Sequence, residues 1–538
     1  MRGIAQGFVL SVLVILGYTQ VAIPARLLDD RPLPVIKTLP ADTATDPDVK
    51  ALCPGAAPGP VSDGQPIVVT LPPAVPFTVG DMNHGSWRQP PVADPTWRLQ
   101  YQSLMWVPPL AIRAARDGQL ASLTNLVDQV VQFHQHNPDP KRQADGWDEG
   151  TAVRRLQVEN CLYALTRSPA LLAGMVADVE VLTGDRYYGP PFRPVHNHGL
   201  MANLAMFSAG KLADRPDWAR LAVDRILAEA PLSFSAQGVT HEQSSYYQRV
   251  NAHMWENAAK RLETLPGYGE AVKQVRATAL KAHRAFRHMT EPDGGIVLIG
   301  DSETRAGAPG DKTDRPILHD DEAGWIIGRS SWTDPDATYY TVRYGPQRRA
   351  HGHENRAGGV TWTALGVRVI VGTGRYSYNT RDEKARYRLT PESQNVAAPA
   401  GAKVAAASTS TAVTNFGRSQ HRIQVNDNVY GTQHRRDITV SPAEAHLTVT
   451  DAFSVAGWSQ HWHLDPAWKR VPGTQDFRHP SGRRLTVSTT GRLSDVWRGD
   501  KARPYGWVFP KAGQQVPAYQ LKIDSVAGAP VRTTFQLS

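Results

Sequence analysis

From about Trp97 to Met289 the apolar positions recur at three- and four-residue spacing, the period of a helix with one buried face. The clearest stretches are Leu120 to Phe133, Val153 to Ala164, Met201 to Leu212, Trp218 to Ala230 and Ala271 to Phe286. They are short and punctuated, as at Asn137-Pro138-Asp139-Pro140 and Gly189-Pro190-Pro191, where Pro and Gly end one helix and turn the chain into the next. Antiparallel helical pairs are predicted. After Glu291-Pro292-Asp293-Gly294-Gly295 the period changes. Alternating, β-branched and aromatic segments follow at Tyr339 to Tyr344, Val360 to Val371, Ala445 to Val449, Leu485 to Thr489 and Val531 to Leu537. With turns of Gly, Asp and Pro between them, they predict an antiparallel β-sandwich. The fold class is therefore α+β and multidomain, helices first, with the change near Pro292.

Ahead of the helices, Arg2 precedes an apolar stretch from Ile4 to about Ala25. Its strongest run, Phe8 to Leu16, has signal-peptide length, but no small-x-small cleavage site follows. Residues 1–25 read as an export signal or an uncleaved membrane anchor, and both place the remainder outside the cytoplasm. Residues 26–94, rich in Pro, Ala, Asp and Gly with a strand-like run at Ile67 to Leu71, read as a linker or N-terminal extension. The helical domain then covers 95–291 and the sandwich 292–538. A hydrophobic fraction of 41% and a charged fraction of 20% exclude wholesale disorder and multiple membrane spans.

The net charge of +9 suits an anionic partner. The basic residues are scattered among Asp and Glu and do not interleave with aromatic residues in any stripe, which argues against nucleic acid. Cys53 and Cys161 belong to no Cys-x-x-Cys pair and read as structural, with a bridge between them left open.

Three polar constellations stand out. His196-Asn197-His198-Gly199 opens a helix near Leu200, and a helix N-terminus favours an anion. His241-Glu242-Gln243-Ser244-Ser245-Tyr246-Tyr247-Gln248 leads into a helix carrying Asn251, His253 and Trp255, and a Tyr there is placed to protonate a leaving oxygen. The third runs from Arg348 through Arg349, His351, His353, Glu354, Asn355 and Arg356 to Gly359, just before a strand from Val360. Its alternating histidines are expected to serve opposite faces, one toward a cleft and the other toward a metal or the packing beneath. His461 and His463 repeat the spacing around Trp462, with no carboxylate at a diagnostic metal-ligand distance in sequence.

These residues resemble the heparinase II/III-like polysaccharide lyases, and toroid-fold alginate lyases look related too. The best motif is His351-Gly352-His353-Glu354-Asn355 running into Gly359-Val360-Thr361-Trp362 and Leu365-Gly366-Val367. Asn197-His198-Gly199, Glu242-Gln243-Ser244 with Tyr247, and Pro292-Asp293-Gly294 followed by Gly300-Asp301-Ser302 support it in the family's order. The resemblance implies an N-terminal (α/α) toroid, a C-terminal antiparallel sandwich, and β-elimination on a uronate-containing anionic polysaccharide. It implies that Asn197 neutralises the uronate carboxylate with help from His198, that Tyr247 donates a proton, and that His351 is the base. Arg348, Arg349, Glu242, Asn355 and Arg356 are then expected to contact substrate. No cofactor is required for catalysis. Some family members hold a structural zinc, and His353 and His463 match two of its ligand positions. The sequence departs from the family at Gln248, where a His is usual, and at Asn355 and Gly372, where Asp is usual.

The chemistry explains the residue types. A uronate C5 proton is too weakly acidic for a neutral-pH base until donors neutralise the adjacent carboxylate, after which charge spreads into it. Whether His351 or Tyr247 abstracts the proton depends on the sugar's epimer. A glycoside hydrolase on the same scaffold would need two carboxylates about 5 to 9.5 Å apart. Asp145, Asp148, Glu149, Glu242, Asp301 and Glu303 are present, but none forms a recognised pair. A non-catalytic polysaccharide-binding protein is the other alternative, motivated by the three departures.

Overall fold

The computed structural model describes residues 35–40, 47–53, 63, 67–71, 75–79, 92, 94–140, 146–188, 196–346 and 350–538. The export segment, the Pro190 to Pro194 loop, and Arg348 and Arg349 lie outside the described residues. Among the described residues no helix is long and apolar enough to cross a membrane. The chain divides into two compact units, the first ending at Val181 and the second running Leu182–Ser538.

In the first unit, helices Pro95–Gln102, Val107–Arg116, Leu120–His136 and Glu149–Thr166 turn their apolar stripes onto a core of Trp97, Tyr101, Leu126, Val130, Phe133 and Leu162. Asp148 caps the fourth, accepting from the Gly150 amide at 3.0 Å. The strand expected at Ile67–Leu71 is present and pairs with Val75–Val79 in an antiparallel hairpin. Cys53 and Cys161 form a disulfide, which answers the question their sequence positions left open.

The second unit begins with helices, among them Asn197–Leu212, Pro216–Ser233, Ser245–Leu262 and Gly269–His288. Strands follow from Ile317, so the order of helices and then antiparallel sheets matches the expected fold class. A five-stranded meander comes first: Ile317–Asp320, Trp325–Arg329, Tyr339–Arg343, Gly359–Ala364 and Val367–Ile370. The Val360 to Val371 segment, read from sequence as one run, is thus two strands. Leu365 and Gly366 break it with positive φ angles of 49° and 74°, a hairpin turn that periodicity does not reveal.

An eight-stranded, a four-stranded and a two-stranded antiparallel sheet follow in the unit. Strand His421–Asp427 alternates, burying Ile423, Val425 and Asp427, while Trp458–His463 is buried at every position. Val360, Trp362, Ile423, Val425, Ile438, Leu447, Trp458, Trp462 and Leu521 join the sheets in one core. Within it Arg436 pairs with Asp451 at 2.7 Å and donates to the carbonyls of Gly358 and Asn395 at 2.9 and 2.7 Å. This anchors the loop that carries the histidine motif.

The disulfide spans a sequence separation of 108 residues. A cross-link closing about 100 residues contributes roughly 4.7 kcal/mol in the chain-entropy model and about 2–4 kcal/mol in typical measurements. Reduction is expected to lower the first unit's stability by about 2–4 kcal/mol, read from urea unfolding with and without reductant. An unchanged midpoint would show that helix packing alone holds the unit.

Candidate active site

Three segments distant in sequence meet at Gly300. Its φ of +68° is left-handed, and a Cβ there would stand 2.6 Å from the carbonyl oxygens of Gln243 and His351, so only glycine fits. The Asp301 amide donates to the His351 carbonyl at 2.8 Å, and the His351 amide donates to the Glu242 carbonyl at 3.2 Å. Ser244 Oγ donates to the Asp301 carbonyl at 3.1 Å and accepts from the Tyr247 amide at 3.3 Å, capping the Ser245–Leu262 helix. These bonds place Tyr247 in the first helical turn and His351 in the inter-strand loop opposite it.

The Asp301 carboxylate is the hub. It is only 3% exposed. Its Oδ2 lies 3.0 Å from His351 Nδ1 and its Oδ1 2.9 Å from His353 Nε2, and Arg388 forms an ion pair with it. Burial alone would raise its pKa, but hydrogen bonds from the two histidines and the Arg388 charge win and hold the carboxyl below the usual carboxylate range. The expectation that the two histidines serve opposite faces is corrected here. They converge on one carboxylate, because residues two apart share a face in extended chain and this loop turns both inward.

With Nδ1 occupied, His351 presents Nε2 to Glu242 Oε2 at 3.4 Å, and among the described residues that nitrogen has no hydrogen-bond partner. The His351 side chain is 13% exposed. Its ring stacks on Tyr247, centroids 3.4 Å apart and planes within 6°. The Tyr247 hydroxyl lies 3.0 Å from the Tyr378 hydroxyl, which is 3.4 Å from His351 Nδ1. Burial, then Tyr378, raise the Tyr247 phenol above its ordinary value. Burial, then the Asp301 charge, push Tyr378 up to about 12. Arg375, paired with Glu303, sits 4.5 Å from the Tyr378 ring centroid.

Asn197 begins its helix with the backbone amide 2.9 Å from Glu242 Oε1 and side-chain Nδ2 3.0 Å from Oε2. Asn251 Nδ2 adds a bond to Oε1 at 2.7 Å. Glu242, expected to touch substrate, is 1% exposed and stands behind the site, aligning Asn197 and Asn251. Burial raises its pKa against His351 and these amide donors. His198 lies beside them, its ring 4.4 Å from that of His196, which is 5.4 Å from His351. Ligating atoms of His196, Glu242 and His351 lie within 4.8 Å of one another, so this cluster is also able to hold a metal ion.

Other expected residues fall away from the surface. Arg356, 2% exposed, donates to Ser408 Oγ at 2.6 Å inside the sandwich. Asn355 is buried, and its carbonyl accepts from Gly359 at 2.8 Å in the turn before the strand. Neither position suits the substrate contact expected of it, because the turn folds both into the protein. Gln248 accepts from Thr240 at 2.7 Å and donates to Gly238 and Ala282 at 2.9 and 2.8 Å, so that departure from the family braces the helix rather than facing the site.

The zinc reading of His353 and His463 does not fit these residues. His353 Nε2 is already engaged, 2.9 Å from Asp301 Oδ1 and 3.2 Å from the Arg388 guanidinium. His463 Nδ1 lies 3.1 Å from Asn395 Oδ1. At Gly372, the family's third ligand position, a Cβ would stand 1.7 Å from the Leu298 carbonyl oxygen. Among the described residues neither histidine joins a group of three metal-ligating atoms.

The structure brings the expected residues Asn197, His198, Tyr247 and His351 near one another and adds Asp301, Tyr378, Asn251, His196, Arg375 and Arg388, which the sequence did not mark as site residues. Asp301 had a signal in the Gly300-Asp301-Ser302 motif. Tyr378 had none.

No family model and no curated protein sequence matches the chain. Solved structures do. A heparinase III structure matches with a TM-score of 0.68 at 13% identity, over 84% of this chain and 78% of that one. A heparinase III gene product with methylated lysines matches with a TM-score of 0.65 at 15% identity, over 95% and 85%. The heparan sulfate lyase HepC from Pedobacter heparinus matches with a TM-score of 0.60 at 15% identity, over 96% and 85%. The chain has the fold of these heparinase-like polysaccharide lyases.

Replacing Asp301 by Asn keeps the shape but leaves the Arg388 guanidinium without its buried counter-charge. Asp301→Asn is expected to destabilise the second unit by about 3–5 kcal/mol, the cost of breaking a buried pair from one side. Denaturant unfolding checks it, and a loss under about 1 kcal/mol would deny Asp301 its role as hub.

Proposed function

We propose that this protein is a polysaccharide lyase that cleaves a uronate-containing anionic polysaccharide by β-elimination, leaving an unsaturated uronate end. The observation that carries the reading is the Tyr247 ring stacked, with centroids 3.4 Å apart, on a histidine whose Nε2, beside Glu242, has no hydrogen-bond partner among the described residues, with Asn197 held nearby through Glu242.

Each group has one task. Asn197 Nδ2 carries two protons; one goes to Glu242, and the other meets the substrate carboxylate with His198 beside it. Such a preorganised donor typically contributes about 2.7 to 4 kcal/mol to the transition state. His351 Nε2 takes the C5 proton. The electrons of that bond become the C4–C5 double bond, the C4–O4 bond breaks, and O4 leaves with the Tyr247 proton. A phenol held above its ordinary pKa is a reservoir of that proton at neutral pH, which favours Tyr247 as the acid and His351 as the base. Exposed Arg381 and Arg386, a few residues beyond Tyr378, and the net charge of +9 support an anionic chain as substrate. The Phe8 to Leu16 run supports action outside the cytoplasm, free or anchored. Hydrolysis is disfavoured because Glu242 and Asp301 are buried and engaged with protein donors.

On a panel of uronate polysaccharides, far-ultraviolet absorbance should rise with wild type and fall by roughly a hundred- to ten-thousandfold in rate for Tyr247→Phe and for His351→Ala. New reducing ends without absorbance would make it a hydrolase, and silence by both readouts would make it a binding protein. The acid must be protonated to work, and its raised pKa keeps it so as pH rises. The alkaline limb of kcat/KM should therefore lie above about pH 10, the ordinary tyrosine value. A limb near neutrality would place the acid elsewhere.

A further inference from the structure

A second cluster lies outside the site, on the helix whose first turn carries Tyr247. His253 and Glu256 stand one turn apart on the Ser245–Leu262 helix, and His283 comes from the neighbouring Gly269–His288 helix. Glu256 Oε2 is 3.1 Å from His283 Nε2 and 3.9 Å from His253 Nδ1. The two imidazole rings are 5.1 Å apart. One ligating atom from each of the three residues falls within 4.8 Å of the others.

We propose that His253, Glu256 and His283 form a zinc-binding clip that ties the Tyr247-bearing helix to its neighbour. Zinc bonds of about 2.0–2.2 Å to nitrogen and oxygen place tetrahedral ligands about 3.3–3.6 Å apart. The 3.1 and 3.9 Å separations bracket that value, and partly exposed side chains close the difference by small rotations. Two imidazoles with one carboxylate select zinc-like transition metals over calcium or magnesium, which prefer oxygen cages. Lys260 occupies Glu256 Oε1 at 2.7 Å, leaving Oε2 as the ligating oxygen. Three protein ligands leave the fourth position to water.

The cluster differs from the one at His196, Glu242 and His351 because it shares no residue with the proposed chemistry.

The test is a zinc titration of the full, tag-free, chelator-stripped chain, by calorimetry and by competition with a chromogenic chelator. One equivalent is expected that weakens more than about tenfold in His283→Ala and in His253→Gln and persists in His351→Ala. Cobalt substitution should give the visible spectrum of a four-coordinate ion with mixed nitrogen and oxygen ligands. Zinc should also slow hydrogen exchange in both helices of wild type and in neither variant. Because these side chains are partly exposed, circular dichroism is expected to show both variants folded. Failure of wild type to bind an equivalent overturns the proposal, as does binding unchanged in both variants or abolished by His351→Ala alone.

Discussion

A buried carboxylate survives in a folded protein only where donors and counter-charges replace the water it has lost. Asp301 meets that condition with three partners from two other parts of the chain: His351 and His353 in one loop, and Arg388. Its position is imposed by Gly300, whose left-handed backbone lets the segment pass between the carbonyls of Gln243 and His351. The geometry of the cleft follows. Engaging Nδ1 of His351 fixes the ring plane and turns Nε2 toward Glu242, as carboxylates behind functional histidines do elsewhere. The ring then forms the surface on which Tyr247 stacks.

Glu242 does for the amides what Asp301 does for the imidazoles. Both are buried, yet their pKa values move in opposite directions. Asp301 lies against an arginine and two ring nitrogens, and the gain in charge-assisted bonds exceeds the burial penalty. Glu242 has amide donors and one histidine, and burial prevails. The site is thus backed by two buried carboxylates, one held below its ordinary pKa and the other above it.

The helical and strand halves were legible in sequence because burial on one face writes a period of about 3.6 or 2 into the chain. Asn197, Tyr247 and His351 were legible because they sit at a helix start or in a compact polar motif. The relation of His351 to His353 was misread, since it depends on a turn and on Asp301, some fifty residues upstream in the chain. Tyr378 lies in a loop whose neighbours alternate polar and aromatic residues without period, so nothing local distinguishes it from Tyr376. Arg356 and Asn355 looked like surface chemistry and proved to be structural, because a polar side chain buried with partners has the same letter as one facing solvent.

The zone where helices give way to strands, near Pro292, is a natural place to divide the chain by composition. The cleft does not respect it: Asn197 and Tyr247 stand on the helical side, and His351 and Tyr378 on the strand side, within one compact unit that begins at Leu182. Neither side holds Tyr247 and His351 together. On the proposed reading, a proteolytic fragment or a swapped module carrying half of these residues keeps a surface, not a fraction of the rate.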